Sequence, residues 1–421
     1  MKVGIIDAEI VGKSKHRFPN LASMKISAYH KKLGDDVRLL TDYSEVDSYD
    51  LAYISKVFIK TNIPLEDNTK AEKNEQNAFE YYSKNEFLKK KNIKYGGTGF
   101  FYDKAPNLPY EIEHSMPDYD LYKDWIDEKI KNGARESEFV YYKDYSIGFL
   151  TRGCFRQCEF CVNKKYKRCE KHSDIREFMD INRSKLCFLD DNFFACSEWR
   201  DIIKEVEETG KRFRFKQGLD ERLLNEEKVK KMREWKYDGK YIFAFDNIED
   251  RDMIESKMDL LYSIYPDWKK EMTFYCFCGF DRNNKYDNEF WLNDIRDLLE
   301  RFMILGKYSA HPYVMRHENY KMSPYNHIYD CLAAWANQPF MYYRTSFETF
   351  CKCSGMTKEG YKKYKTDFEG YLKEYGKKNS RWRYYEEFNE QTNGVFEDMF
   401  HVIPFSLAEH GTYAKQHGQH N

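Results

Sequence analysis

A chain of 421 residues is long enough for two or three domains and at least one large core. Its 69 Lys and Arg nearly cancel its 70 Asp and Glu, leaving a net charge of -1, which argues against a globally basic nucleic-acid binder and leaves room only for a local basic patch. No run approaches the roughly 18–20 apolar residues of a membrane span, and the opening MKVGIIDAEIVGK has too short an apolar stretch for a secretion signal, so a cytoplasmic protein with reduced thiols is expected.

In chain order, KVGII (2–6) reads as a short apolar strand. Residues 20–33 carry Leu21, Met24, Ala28 and Leu33 at roughly helical spacing, with Gly34 in the C-cap position. VRLL (37–40) and LAYIS (51–55) read as further strands, 70–91 as a polar helix, and NIKYGGTGF (92–100) as a strand entering a glycine loop. Strands alternating with helices predict a parallel, doubly wound Rossmann-like sheet with ligands beyond the strands' carboxyl ends. Residues 101–144 form a proline-punctuated connector with a helix near 119–131. A second rhythm follows, with candidate strands at 145–151, 186–190, 212–217, 240–245, 272–278 and 301–305. Helices are expected between them, such as 198–209 and 288–301, the latter starting at Asn288. Repeated βα units of this length predict a partial (βα)6 TIM-type barrel. The last hundred residues or so are aromatic, Lys-rich and helical in pattern.

After the first strand of that second rhythm comes RGCFRQCEFC (152–161), which places Cys154, Cys158 and Cys161 within eight positions. Four thiolates would close a tetrahedral zinc site or saturate a cubane cluster. Three leave one metal position open for a substrate or cofactor. Polar groups also follow the strands repeatedly: Asp190, Asp191 and Asn192, then Gln217 and Asp220, then Asp246 and Asn247, then Gly279 and Asp281. On a barrel these would share one rim.

The C-x3-C-x2-C run, with Phe160 just before its last cysteine, resembles the radical S-adenosylmethionine superfamily. That resemblance implies an enzyme in which Cys154, Cys158 and Cys161 hold a [4Fe–4S] cluster that reductively cleaves S-adenosylmethionine to a 5′-deoxyadenosyl radical. It implies Phe160 near the adenine, and Asp191, Asn192, Gln217 and Asp246 binding the methionine and ribose. It also implies an electron donor such as a flavodoxin or ferredoxin, an unnamed substrate, and no membrane or nucleic acid. The alternative from another class is a zinc- or cluster-containing nucleic-acid-binding or scaffold protein.

An α/β domain ahead of such a barrel resembles the cobalamin-binding class, whose D-x-H-x-x-G signature falls here on Asp7-Ala8-Glu9-Ile10-Val11-Gly12. Glu9 stands at the histidine position, and His16 has the wrong spacing to replace it. The resemblance implies cobalamin held without a histidine from this motif, near Gly96–Gly99, with methyl transfer as its chemistry. Without cobalamin, radical rearrangement, oxidation or cyclisation is expected. The domains implied are 1–135 (cobalamin-binding-like, with the connector), 136–330 (partial barrel) and 331–421 (helical extension). Cys276 with Cys278 and Cys351 with Cys353 are either an auxiliary cluster or buried inert thiols. KKNSRWRYYEEF, near the C-terminus, is read as a helix packing its aromatics inward rather than a nucleic-acid contact.

Overall fold

The computed structural model describes residues 1–13, 16–59, 61–64, 82–83, 85–269, 271–353, 366–367, 369–370 and 379–409. Of the helix expected over 70–91, residues 70–81 and 84 fall outside these, and residues 85–91 hold only a 3-10 turn at Phe87–Lys89; parts of the C-terminal extension also fall outside. The chain divides into two compact units, Met1–Gln217 and Gly218–Asn421.

The first unit opens with β1 (Lys2–Asp7), α1 (Leu21–Lys32), β2 (Asp36–Leu39), β3 (Leu51–Ser55) and β4 (Ile93–Gly96). These strands form one parallel sheet in the order β2-β1-β3-β4. Side chains alternate across a strand, so Ile5 and Ile6 feed opposite faces. Ile6 packs with Ile54, Ile93 and Phe100. Ile5 packs with Leu21, Met24 and Trp125, the last from α2 (Lys123–Lys131). A strand buried on both faces needs a continuous apolar run, which is what KVGII supplies. Asn20 caps α1 by accepting from Ser23 N–H at 3.1 Å. The sheet order reverses between β1 and β3, and the loops beyond Asp7 and Ser55 leave that switch point together.

The same unit contains β5 (Tyr145–Gly148), β6 (Thr151–Arg152), β7 (Glu170–Lys171), β8 (Lys185–Phe188), α3 (Trp199–Glu208) and β9 (Arg212–Phe215). β5, β8 and β9 form a parallel three-stranded sheet, while β6 and β7 make a short antiparallel clip. That clip closes the loop holding the three motif cysteines.

The second unit holds α4 (Glu226–Glu234), β10 (Tyr241–Ala244), α5 (Arg251–Ile264), β11 (Met272–Cys278), α6 (Asn288–Lys307), β12 (His311–Arg316), α7 (Asn326–Ala336) and α8 (Ser380–Gln391). β10, β11 and β12 form a second parallel three-stranded sheet. The strand expected at 301–305 instead lies within the last two turns of α6. Ile295, Leu298, Leu299, Phe302 and Leu305 recur at helical spacing and are all buried, so the apolar run belongs to a helix face, and the strand follows it at 311. The cap of α6 is Asp287, whose carboxylate accepts from Phe290 N–H at 2.9 Å, rather than Asn288. On α8, Trp382, Tyr385 and Phe388 turn inward. No helix among the described residues is long and apolar enough to cross a membrane.

Candidate functional site

β6 ends at Arg152, and Gly153 then takes φ 102°, a conformation open chiefly to glycine. A Cβ there would stand 1.9 Å from the Arg168 carbonyl oxygen, so the chain passes hard against the strand returning from the loop. Cys154 N–H donates to Tyr166 O at 3.1 Å, Cys161 N–H donates to Cys158 O at 3.0 Å, and Gln157 Nε2 donates to Cys154 O at 2.8 Å. All three motif cysteines are half-buried free thiols. Two of them accept hydrogen bonds: Cys161 Sγ from Asn163 N–H at 3.3 Å and Cys154 Sγ from Asn192 Nδ2 at 3.5 Å. Burial, together with the neighbouring Cys158, Asp191 and Cys154, pushes the Cys161 thiol up. A cationic iron centre would remove that cost, and N–H donors on cluster-ligating sulfurs are a recognised means of tuning potential. Thiolates are the donors such a cluster takes, but among the described residues no group of three or more His, Cys, Asp or Glu side chains, the motif cysteines included, is placed to hold a metal ion.

The carboxylates after β8 brace this loop. Asp191 accepts from Gly153 N–H at 2.8 Å and from Asn163 Nδ2 at 2.7 Å. Asp190 is fully buried and accepts from Leu150 N–H, Thr151 N–H and Thr151 Oγ1 at 3.2, 2.7 and 2.6 Å. Burial raises its pKa to about 7. The structure therefore brings Asp191 and Asn192 to the cysteine loop. Phe160 is on the loop itself, its carbonyl accepting from Tyr102 OH at 3.2 Å. Cys169, just past the motif, is turned into the core, where burial pushes it up to about 12. Gln217 is exposed at the end of the first unit.

In the second unit, Asp246 Oδ1 accepts from Phe277 N–H at 3.2 Å, and burial raises its pKa to about 6. Arg301, itself buried, donates to the carbonyls of Phe245, Asp246 and Phe277 at 2.7, 3.1 and 3.0 Å, tying the ends of β10 and β11 together. Arg222 Nε pairs with Asp220 at 2.8 Å. Asp281 serves its own loop, accepting from Asn283 N–H and Lys285 N–H. Sequence reasoning passed over Glu221, which is fully buried, accepts from Ala244 N–H at 3.1 Å and is raised by burial to about 8. Cys276 and Cys278 share a buried face of β11, their thiols directed at the carbonyls of Phe274 and Met315, and burial pushes Cys276 up to about 12. Cys351 is buried with Cys331 as its neighbour.

At the switch point of the N-terminal sheet, Glu9 is buried and spent on its own chain. Its carboxylate accepts from Val57 N–H (3.2 Å), Phe58 N–H (3.1 Å), Thr61 Oγ1 (2.6 Å) and Lys13 Nζ (3.1 Å). Burial pushes its pKa up, but the bonds from Thr61, Phe58 and Lys13 outweigh this and hold it below the usual range. Asp7 accepts from Tyr122 OH at 2.8 Å and from Glu9 N–H at 3.0 Å, and burial raises it to about 6. His16 Nδ1 lies 2.9 Å from Tyr142 OH. Gly97 (φ 106°) and Gly99 are needed because the chain packs on itself: a Cβ on Gly97 would stand 2.2 Å from Lys56 O, and one on Gly99 2.6 Å from Lys56 Cγ. The buried Lys56 ammonium donates to Ile59 O at 2.8 Å, to Gly99 O at 3.2 Å and to Tyr82 OH, and lies 4.2 Å from the Tyr82 ring centre.

Between the ends of β3 and β4 and the cysteine loop lies a cavity of about 430 Å³, entirely within the first unit. Gly96 and Thr98 line it on one side, Arg152, Val162, Asn163 and Asp191 on the other.

The chain resembles the radical S-adenosylmethionine superfamily. No protein-family model matches it, and no curated protein matches it in sequence. Two solved structures of the cobalamin-dependent S-adenosylmethionine radical enzyme OxsB align with it at 13% identity, one with aqua-cobalamin and S-adenosylmethionine bound and one with aqua-cobalamin bound. Their TM-scores are 0.38 and 0.37, over 79% of this chain and 55% of that one. The chain thus spans little more than half the length of the enzyme it aligns with. At that level of likeness, the resemblance rests on the cysteine loop and its surroundings.

Proposed function

We propose that the chain is a radical S-adenosylmethionine enzyme in which Cys154, Cys158 and Cys161 hold a [4Fe–4S] cluster. The observation that carries this reading is the loop: three half-buried thiols, two of them receiving N–H donors, with the next cysteine turned into the core. Reductive cleavage of S-adenosylmethionine is the chemistry such a cluster supplies when bound. The chain's own part is positional. Asp191 holds Gly153 and Asn163, so it fixes both ends of the cysteine run, and Asn192 sets the electrostatics at Cys154. The partial barrel expected from the sequence stays a proposal, supported by a parallel three-stranded sheet in each unit.

Cobalamin is left out of it, because the motif gives cobalt no side-chain ligand. Glu9, at the position of the motif's histidine, is engaged by four donors. The reaction class proposed is therefore rearrangement, oxidation or ring closure rather than methyl transfer through cobalt.

Anaerobic reconstitution should give about four irons per chain and reductant-dependent 5′-deoxyadenosine. A Cys154→Ala, Cys158→Ala, Cys161→Ala variant should lose both. Iron retained by that variant, or zinc in the native protein with RNA bound in a salt-sensitive way, would favour the scaffold alternative. Supplied cobalamin should leave less than about a tenth of an equivalent of cobalt after purification; stoichiometric cobalt would restore the methyltransferase reading.

A further inference from the structure

The cavity beside the cysteine loop contains an arginine whose hydrogen-bonding capacity is unused. Arg152 holds its guanidinium over the Phe149 ring, 4.0 Å from the ring centre, with Tyr166 at 5.6 Å. Among the described residues, its side chain makes no hydrogen bond. The nearest carboxylate oxygen, on Asp191, is 3.7 Å from Nε, and that Nε is buried without an acceptor. The other cations lining the cavity differ. Lys25 is spent on Glu113 (3.0 Å), Lys165 donates to Asn107 Oδ1 (2.7 Å) and Ala105 O (3.3 Å), and Lys94 lies exposed near the Tyr53 ring.

A guanidinium packed over an aromatic ring has less rotamer freedom left to lose, so an oxyanion meeting it pays less ordering entropy. Its planar fork matches a carboxylate or a phosphate. The surroundings choose between them. Lys25, Lys94, Arg152 and Lys165 line the cavity with Asp103, Glu113 and Asp191, a surplus of one positive charge, so a single negative charge is balanced and the second charge of a phosphate is not. Much of the remaining wall is apolar or aromatic, including Leu21, Ile26, Leu108 and Tyr95. A volume of about 430 Å³ suits a small molecule at the lower end of the usual pocket range.

We infer that this cavity is the substrate site, that its ligand is a small monocarboxylate with an aromatic or apolar body, and that Arg152 is the residue that recognises the carboxylate. Calling the ligand a substrate rests on the proposed cluster at the adjoining cysteines; the binding itself does not. Val162 and Asn163 place the cavity wall directly after Cys161, so a ligand pinned by Arg152 lies against the sulfur-bearing loop.

The test titrates the reconstituted full-length protein by calorimetry with phenylacetate, phenylacetamide and phenyl phosphate, with S-adenosylmethionine affinity measured in parallel. Phenylacetate should bind at least about tenfold more tightly than the amide, as expected for one charge-assisted contact. Arg152→Gln should bring the two to equal affinity with iron content unchanged, and Arg152→Lys should restore part of the preference. Equal affinity in the unmodified protein, a carboxylate preference that survives in Arg152→Gln, or tighter binding of the phosphate overturns the inference. Loss of S-adenosylmethionine affinity in Arg152→Gln also overturns it, since the arginine would then serve the methionine carboxylate. Carboxylate discrimination in a protein that fails to cleave S-adenosylmethionine would keep the cavity assignment and sink the radical-enzyme reading alone.

Discussion

Gly153→Ala perturbs the one backbone position on which the cysteine loop turns. The residue has φ 102°, and its new Cβ would fall 1.9 Å from Arg168 O, with Tyr166 Cβ at 2.8 Å. A non-glycine residue in such a conformation costs about 1–3 kcal/mol. Relieving an overpacked contact costs about the same again, because the obstacle is backbone and cannot swing away. The sum, roughly 2–6 kcal/mol, corresponds to a melting-temperature loss of roughly 5–20 °C for a unit of this size. The shift that relieves the clash must move Cys154, the next residue, or break the β6–β7 clip. Either outcome displaces a thiol. The variant should therefore reconstitute with less than half the iron of the parent, with all three cysteines intact. Gly96→Ala is the control, since a Cβ there meets nothing within 4 Å and should leave iron and melting nearly unchanged. Iron and melting temperature measured on both proteins decide the matter. A Gly153→Ala protein with full iron and an unshifted melting point would refute the claim that this close approach shapes the loop.

Asp191→Ala leaves the Gly153 amide and the Asn163 side chain without their acceptor, at about 1–3 kcal/mol for each donor left buried and unpaired, and should lower iron content, whereas Gln217→Ala should leave it unaltered. Glu9→Ala strands donors from Val57, Phe58 and Thr61 and should destabilise the first unit by about 2–4 kcal/mol in chemical denaturation without creating or abolishing cobalt binding. Burial raises Glu221 from its ordinary value to about 8, so its protonated form is the one the fold favours. The stability it contributes is complete below about pH 4.5 and is lost as pH rises through about 8. Denaturant midpoints between pH 5 and 9 should fall with pH, and Glu221→Gln, which mimics the protonated acid, should flatten that slope; an unchanged slope would assign the titration elsewhere.

The sequence by itself determined the strands whose signal is local. Runs such as KVGII, LAYIS and MTFYCFC are apolar, bounded by polar residues and too short for helices, so they appear in the structure where the pattern puts them. The three cysteines were equally legible as neighbours on one loop, because they are close in sequence. What the pattern could not decide was the fate of residues whose roles depend on distant partners. RFMIL is apolar enough for a strand, and only its continuity with the buried face of α6 makes it helix. Asp191 read as a cofactor-binding residue and Glu9 as the occupant of a ligand position, but most of the donors that occupy them come from residues 28 to 52 positions away, and spacing carries no trace of such contacts. Arg152 is the converse. Beside three cysteines it was merely the letter before the glycine, and only folding shows that its guanidinium lies over the Phe149 ring at a cavity wall, with no hydrogen bond among the described residues.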